Sequence, residues 1–195
     1  MSVVAKLQRE GQPQWPDERL VSECLKGNQE AWSALIDKYK NLIYSIPIKL
    51  RMYDDAPDIF QAVCLDLLSS LDQLRKPRAL PKWLMQTCYH KCLQHRRKAE
   101  KQPLTNEAGE ALQIVSEQPL PEDMLSELEQ EQTVRDAICQ LNPRCEQMVR
   151  MLFFENPPRP YEDVARELGV ATGSIGFIRG RCLRRLKKQL EKMGF

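Results

Sequence analysis

The chain has 195 residues, of which 42% are hydrophobic, and its formal net charge at pH 7 is +2. This length suffices for about one or two globular domains, and the composition is not that of a disordered chain. Because the chain has no run of about 18 apolar residues and its N-terminus lacks the apolar segment of a signal peptide, we expect a cytoplasmic protein without membrane insertion.

The first predicted elements are two helices with a glycine between them. A short helix over residues 20–25 stops at Gly27, and from Ala31 to Ile46 apolar residues recur at helical spacing for four turns. We expect Pro47 to interrupt the second helix, because proline lacks the backbone N–H that a helix interior uses.

Two further helices complete the first predicted domain. One spans residues 58–74, has aspartates at its start, where negative charge is favoured, and contains no Lys or Arg. The other runs from Leu80 to about Lys98, and Trp83 shares its apolar face, so we predict Trp83 to be a core residue. Residues 75–101 hold nine Lys and Arg against one Glu, which predicts a surface for an anionic partner.

A polar, acidic stretch follows, in which the helical periodicity fades. Residues 105–131 hold eight acidic residues and no basic one, and Pro and Gly interrupt the pattern. We interpret the stretch as a flexible linker between two small all-α domains. The predicted division is an N-terminal extension over residues 1–16, a first domain over 17–99, a linker over 100–122 and a second domain over 123–195.

The second domain is predicted to open with a helix over residues 124–141. Asn142 and Pro143 then supply the N-cap and the first-turn proline of the next helix. Residues 156–160, which include three prolines, are expected to end that helix.

Residues 161–186 have the spacing of a helix-turn-helix with a basic second helix. Gly169 stands where a left-handed turn is needed, and Thr172 stands where we predict the N-cap of the second helix. Apolar residues then recur at three- and four-residue steps, while the opposite side carries arginines suited to phosphates and to base edges in the major groove. A plain helical hairpin with a solvated basic end is the alternative interpretation.

The seven cysteines are an odd number and fall mostly on apolar helical positions, which favours reduced, buried thiols over a disulfide framework. Cys88, Cys92 and His95 are ligand types for zinc, but a continuous helix lacks the turn of a structural zinc site. We therefore expect no metal and no other cofactor. The chain also lacks a phosphate-binding glycine loop and a nucleophile framed by a base, so we expect no enzymatic activity.

Two parts of the chain resemble a known family. Similarity to the fourth conserved region of bacterial sigma factors lies in LNPRCEQMVRMLFFENPPRPYEDVARELGVATGSIGFIRGRCLRRLKK. Similarity to the second conserved region lies in DDAPDIFQAVCLDLLSSLDQL and RALPKWLMQTCYHKCLQHRRK. Their order and spacing, from Asp17 to Leu190, resemble the extracytoplasmic-function group of the sigma-70 family. The resemblance implies a factor that binds core RNA polymerase, recognises promoter DNA and has an anti-sigma protein as a further candidate partner.

The resemblance also assigns roles to residues of the first domain. An acidic helix that docks on the polymerase clamp corresponds to Asp55, Asp58, Ile59 and Gln61. The alternative is that these aspartates only cap and solubilise their helix. The part that captures the melted minus-10 element, where bases stack or enter pockets and cations hold the backbone, corresponds to Arg78, Tyr89, His90, Arg96, Arg97 and Lys98.

In the second domain, the resemblance assigns the reading of the minus-35 element to residues 174–185. Arg181 is the leading candidate for a contact with DNA, and Phe177 either touches a thymine methyl or belongs to the core. The full set of candidate contacts is Ser174, Phe177, Arg179, Arg181, Arg184 and Arg185.

Two function classes follow. The first is a sigma-type initiation factor, which is a binding subunit that leaves the chemistry to the polymerase. The second is a stand-alone helix-turn-helix regulator that binds duplex DNA by itself. Binding to core polymerase distinguishes the two.

Overall fold

The computed structural model describes residues 15–74, 76–100 and 119–195. Over these residues the chain is helical and contains no β-strand, which confirms the predicted all-α class. None of the described helices combines the length and the hydrophobicity that a membrane crossing requires. The α-helices are α1 (Asp17–Leu25), α2 (Gln29–Lys49), α3 (Ala56–Ser70), α4 (Leu80–Glu100), α5 (Glu122–Cys139), α6 (Pro143–Phe153), α7 (Tyr161–Leu168) and α8 (Ile175–Lys192).

The described helices belong to two compact units, Trp15–Glu129 and Gln130–Phe195. The division falls inside α5, whereas the second domain was predicted to begin at residue 123. Most of the predicted linker and nearly all of the N-terminal extension lie outside the described residues, so the predicted domain limits stay a prediction.

Helix α2 is the centre of the first unit, because it packs against α1, α3 and α4. Its fully buried Tyr39 donates a hydrogen bond of 2.8 Å from its hydroxyl to Asp17 Oδ1, which satisfies the polar end of an otherwise apolar side chain. Full burial of a leucine or isoleucine stabilises a fold by about 1.5–3 kcal/mol. The core of this unit includes Leu35, Leu42, Ile43, Ile46, Ile59, Val63, Leu67, Leu80, Leu84 and Met85.

The prediction that Pro47 interrupts the second helix is wrong. Pro47 is a buried residue inside α2, which continues to Lys49. A proline leaves the carbonyl four residues earlier without its helical donor, and that carbonyl belongs to Ile43. The thiol of Cys88 on α4 contacts the Ile43 oxygen at 3.3 Å and replaces the missing N–H. The helix therefore tolerates the proline because a neighbouring helix supplies the donor.

The second unit contains the predicted helix-turn-helix. The Asn142 side chain accepts a hydrogen bond of 2.9 Å from the Cys145 N–H, which confirms the predicted cap of α6. Gly169 ends α7 with φ of 62°, the left-handed conformation that glycine adopts without strain. The predicted N-cap at Thr172 is wrong, because Thr172 begins a 3₁₀ turn (Thr172–Ser174) that leads directly into α8. Ser174, the last residue of this turn, occupies the N-cap position of α8, and its side chain makes no capping hydrogen bond.

One pair of cysteines departs from the expectation of reduced, buried thiols. Cys145 of α6 and Cys182 of α8 form a disulfide, with 5.2 Å between their Cα atoms. The pair lies 37 residues apart in sequence, and only the packing of α6 on α8 brings the two side chains together. Cys24, Cys64, Cys88, Cys92 and Cys139 are free thiols.

Candidate nucleic-acid interface

Helix α8 separates an apolar face from a basic face. Ile175, Ile178 and Cys182 are buried against α6 and α7 and fix the orientation of the helix. The opposite face is exposed, and neither Arg181 nor Arg184 forms a hydrogen bond or an ion pair within the described chain. At 100° per residue, the residues that share this outer face are Phe177, Arg181, Arg184 and Lys188.

Two of the predicted arginines do not belong to that outer face. Arg179 lies on the flank toward α7, where its guanidinium donates a hydrogen bond of 2.6 Å to the Tyr161 hydroxyl. Arg185 lies on the flank toward α6, with Nη1 3.8 Å from the sulfur of Cys145. The structure therefore divides the predicted set into an outward pair, Arg181 and Arg184, and a flanking pair.

Phe177 is 70% exposed, which excludes the core role predicted as one of its two alternatives. It is not a core residue of the second unit. Gly176 and Gly180 lie beside it on α8, and a Cβ built at either position would meet open space. The second unit thus has an aromatic side chain and bare backbone on the same surface as its outward arginines. Ser174 precedes α8 and is also exposed.

The candidate residues on and near α4 are spread along the helix rather than gathered in one place. Arg78 precedes α4, with its guanidinium 2.9 Å from Glu18 Oε1, while Arg96, Arg97 and Lys98 lie in the last turns. The first and last turns of α4 are separated by roughly 25 Å at 1.5 Å per residue. Tyr89 and His90 are half-buried between the two ends. The set forms a track along a helix and not a compact pocket.

Trp83 borders a surface pocket at the start of α4. The pocket has a volume of about 480 Å³ and is lined by Ser70, Gln73, Leu74, Lys76, Ala79 and Trp83. Trp83 packs against the core but is only half-buried. The predicted core position therefore holds for only part of the indole ring. The pocket combines that ring with a lysine and polar groups, which together suit an aromatic, anionic ligand such as a nucleotide.

Helix α3 has an outer face that is apolar and acidic. Asp58 and Gln61 are exposed on it, as predicted for a docking surface, but Ile59 is 1% exposed and belongs to the core. Ile59 is therefore unavailable for direct contact with a partner, which corrects its predicted role. Leu65 and Leu68 are 61% and 62% exposed and were not predicted. Their spacing from Asp58 and Gln61 is helical, so the sequence pattern contained this signal.

Two further aspartates, one at the N-cap position of α3 and one within the helix, contact side chains of α4. Asp66 forms an ion pair of 2.7 Å with Lys91, and Asp55 lies 3.6 Å from His95. Asp55 occupies the N-cap position of α3, but its carboxylate makes no capping hydrogen bond. The simple alternative, in which this residue only caps the helix, therefore lacks the bond that capping requires.

The thiols predicted as a weak alternative metal site are placed for packing. Cys88 and Cys92 are buried, and a hydrogen bond with Cys92 together with burial raises the pKa of Cys88 far above its ordinary value. His95 is half-exposed beside Asp55. In the part of the chain that the structure describes, no group of three or more His, Cys, Asp and Glu side chains is arranged to hold a metal ion.

Comparison of the chain with models of protein families and with curated proteins finds no match.

Proposed function

We propose that the chain is a sigma-type initiation factor that binds core RNA polymerase and directs it to promoters. The observation that carries the proposal is the outer face of α8, where Arg181, Arg184 and Phe177 project from a helix held by a glycine turn to α7. An exposed helix with two outward guanidinium groups fits the major groove of duplex DNA, where arginine pairs with guanine edges. Phe177 suits a thymine methyl group.

The first unit supplies a second nucleic-acid surface of a different kind. The pocket beside Trp83 has room for one base, and the cations at the end of α4 suit the phosphates of a separated strand. Stacking of a base on an aromatic ring contributes about 1–3 kcal/mol. A double-helix surface on one unit and a single-strand surface on the other match the two steps of promoter recognition and opening.

The outer face of α3 supports the third part of the proposal, the attachment to polymerase. Leu65 and Leu68 expose apolar area on the face of α3 that also carries Asp58, and no Lys or Arg lies between residues 53 and 74. Such a face suits a partner surface that offers apolar side chains and arginines. A stand-alone regulator has no need of this surface, and its role therefore separates the two function classes.

The test is binding to purified core RNA polymerase. Wild-type chain and the double variant Leu65→Glu/Leu68→Glu are each mixed with the enzyme, and complex formation is measured by gel filtration and by fluorescence anisotropy of the labelled chain. We expect tight binding of the wild type and at least a tenfold loss of affinity for the variant, because two leucines that are exposed in the free chain and covered in the complex become charged.

Leu25→Glu is the matched control, since Leu25 is 53% exposed at the end of α1 and lies outside the α3 face. This variant should bind polymerase as the wild type does. The proposal fails if the wild-type chain does not bind the enzyme. It also fails if the chain binds its duplex site with the same affinity in the presence and in the absence of the enzyme.

A further inference from the structure

The beginning of α5 packs on the first unit and covers part of it. Leu128 is fully buried and Leu120 is 5% exposed, and both belong to the core that α1 to α4 build. Met124 and Leu125 pack against the same core. Residues 120–128, here called the cover segment, therefore occupy a place on the first unit through a helical stripe of apolar side chains.

Two polar contacts fix the position of the cover segment. The backbone N–H of Leu120 donates a hydrogen bond of 3.0 Å to Gln86 Oε1 on α4. At the other end, Glu127 forms an ion pair of 2.7 Å with Lys49 at the end of α2. The side-chain amide of Gln86 in turn lies 2.7 Å from His90 Nε2. The N-terminal end of the cover segment is thus bonded to Gln86, the same side chain that hydrogen-bonds His90.

The surface under the segment belongs to the track of nucleic-acid residues. At helical spacing, Trp83, Gln86, His90 and Arg97 fall on one stripe of α4. A strand that runs along α4 from the Trp83 pocket to the terminal cations has to pass Gln86. The hydrogen bond from Leu120 uses the carbonyl oxygen of that side chain, and the backbone of the segment takes the space above it.

The charge of the segment matches that of the ligand it would displace. The cover segment contains three acidic residues, Glu122, Asp123 and Glu127, and no Lys or Arg. An acidic segment beside a basic helix lowers the local concentration of another polyanion, because like charges repel in the same field. The cover segment and a nucleic-acid strand therefore compete for the same space on α4 and for the same positive charges.

We propose that the cover segment is an intramolecular inhibitor of the single-strand surface of α4 and has to leave Gln86 before a strand is captured. The inference rests on the proposed function, since it assigns the strand to α4. It adds a closed and an open state of the free chain, and it predicts that the closed state binds single strands weakly.

A charge exchange at Lys49 and Glu127 tests the cover without touching α4. Lys49→Glu, Glu127→Lys and the double exchange are measured as full-length chains, with fluorescein-labelled single-stranded DNA of randomised sequence as the probe. An exposed ion pair changes an equilibrium by about two- to fivefold. Each single reversal should therefore raise the affinity about two- to fivefold, and the double exchange should return it to that of the wild type.

The design separates opening from simple electrostatics. Charge alone predicts that Lys49→Glu lowers the affinity and Glu127→Lys raises it, whereas loss of the cover raises it in both. Opposite changes in the two single variants would overturn the proposal, whether or not the double exchange restores the wild-type affinity, because charge alone also predicts that restoration.

A second measurement does not depend on any variant. Hydrogen exchange of the wild-type chain is followed with and without the same DNA probe. We expect the amides of residues 124–128 to lose protection when the strand binds, because the first turns of α5 leave the unit. Unchanged or increased protection of these amides in the bound state would also overturn the cover.

The two proposals fail in different ways. If the chain binds core polymerase and directs initiation but the charge reversals leave single-strand binding unchanged, the cover is wrong and the proposed function stands. If the chain does not bind polymerase, the proposed function fails, whatever the exchange experiment shows.

Discussion

Arginines of α8 that look equivalent in the sequence have different surroundings. Arg181 points outward, while Arg179 already donates a hydrogen bond to Tyr161. A guanidinium with a partner in the same chain has to give up that bond to reach DNA, and a guanidinium in solvent does not. The two residues are two positions apart, which places them about 200° apart around α8, and the packing of α8 on α7 gives Arg179 its partner.

We predict that Arg181→Ala weakens binding to the preferred duplex by about 1–3 kcal/mol, the range for a bidentate contact with a base. Arg179→Ala removes the same charge and should weaken binding much less. Fluorescence anisotropy on a duplex chosen by selection measures both variants. Equal losses for the two would contradict the assignment of the outward face.

The pair between Glu18 and Arg78 gives a prediction for pH. The hydrogen bond from Arg78 is the largest cause that lowers the pKa of Glu18 below its ordinary value of 4.5. A lowered pKa in the folded state stabilises the fold above the ordinary value and loses that contribution as the pH falls through the lowered pKa. Arg78→Gln should raise the pKa of Glu18 toward 4.5, measured by NMR titration of its side-chain carboxyl. An unchanged pKa would show that the pair does not form in solution.

Helix α2 illustrates what periodicity predicts and what it omits. The apolar face from Ala31 to Ile46 was readable, but the continuation past Pro47 depends on the Cys88 thiol of another helix. No pattern within α2 contains that information. The same holds for the 3₁₀ turn before α8, because its geometry follows from the αL turn at Gly169 and the packing of Ile175.

The contact between Cys88 and the Ile43 carbonyl predicts a non-additive pair of variants. Cys88→Ala leaves that buried carbonyl without a donor and should lower the free energy of unfolding by about 1–3 kcal/mol. In the Pro47→Ala background the new backbone N–H satisfies the carbonyl, so the same change should cost less. Urea unfolding followed by tryptophan fluorescence reports on this unit, which contains Trp15, Trp32 and Trp83. Additive effects would contradict the replacement of the donor.

The turn between α7 and α8 predicts opposite effects for two glycines. Gly169→Ala places a Cβ at a φ of 62° and should destabilise the helix-turn-helix by about 1–2 kcal/mol. Gly176→Ala is the control, because it lies in a helix with open space around it and should stabilise by about 0.5–1 kcal/mol. Hydrogen exchange at the Ile178 amide measures both. A stabilising Gly169→Ala would show that the turn has another conformation.

At the scale of the whole molecule, the helical class and most of the helices were predictable from the sequence, and the contacts between the helices were not. The odd number of cysteines argued for free thiols, yet Cys145 and Cys182 meet because α6 packs on α8. Likewise, the acidic composition of residues 105–131 suggested a linker, but the apolar stripe from Leu120 to Leu128 joins the first core. Composition averages over a stretch, and packing depends on a few positions within it.

Run-off transcription with purified core polymerase on a library of genomic fragments tests the central proposal most directly. We expect discrete transcripts when the chain is added to the core enzyme and none from the chain or the core enzyme alone. The start sites should share two upstream sequence elements, and both Arg181→Ala and Leu65→Glu/Leu68→Glu should abolish most of the product. A transcript pattern unchanged by the chain, while the chain alone binds duplex DNA tightly, would contradict the account and favour a stand-alone regulator.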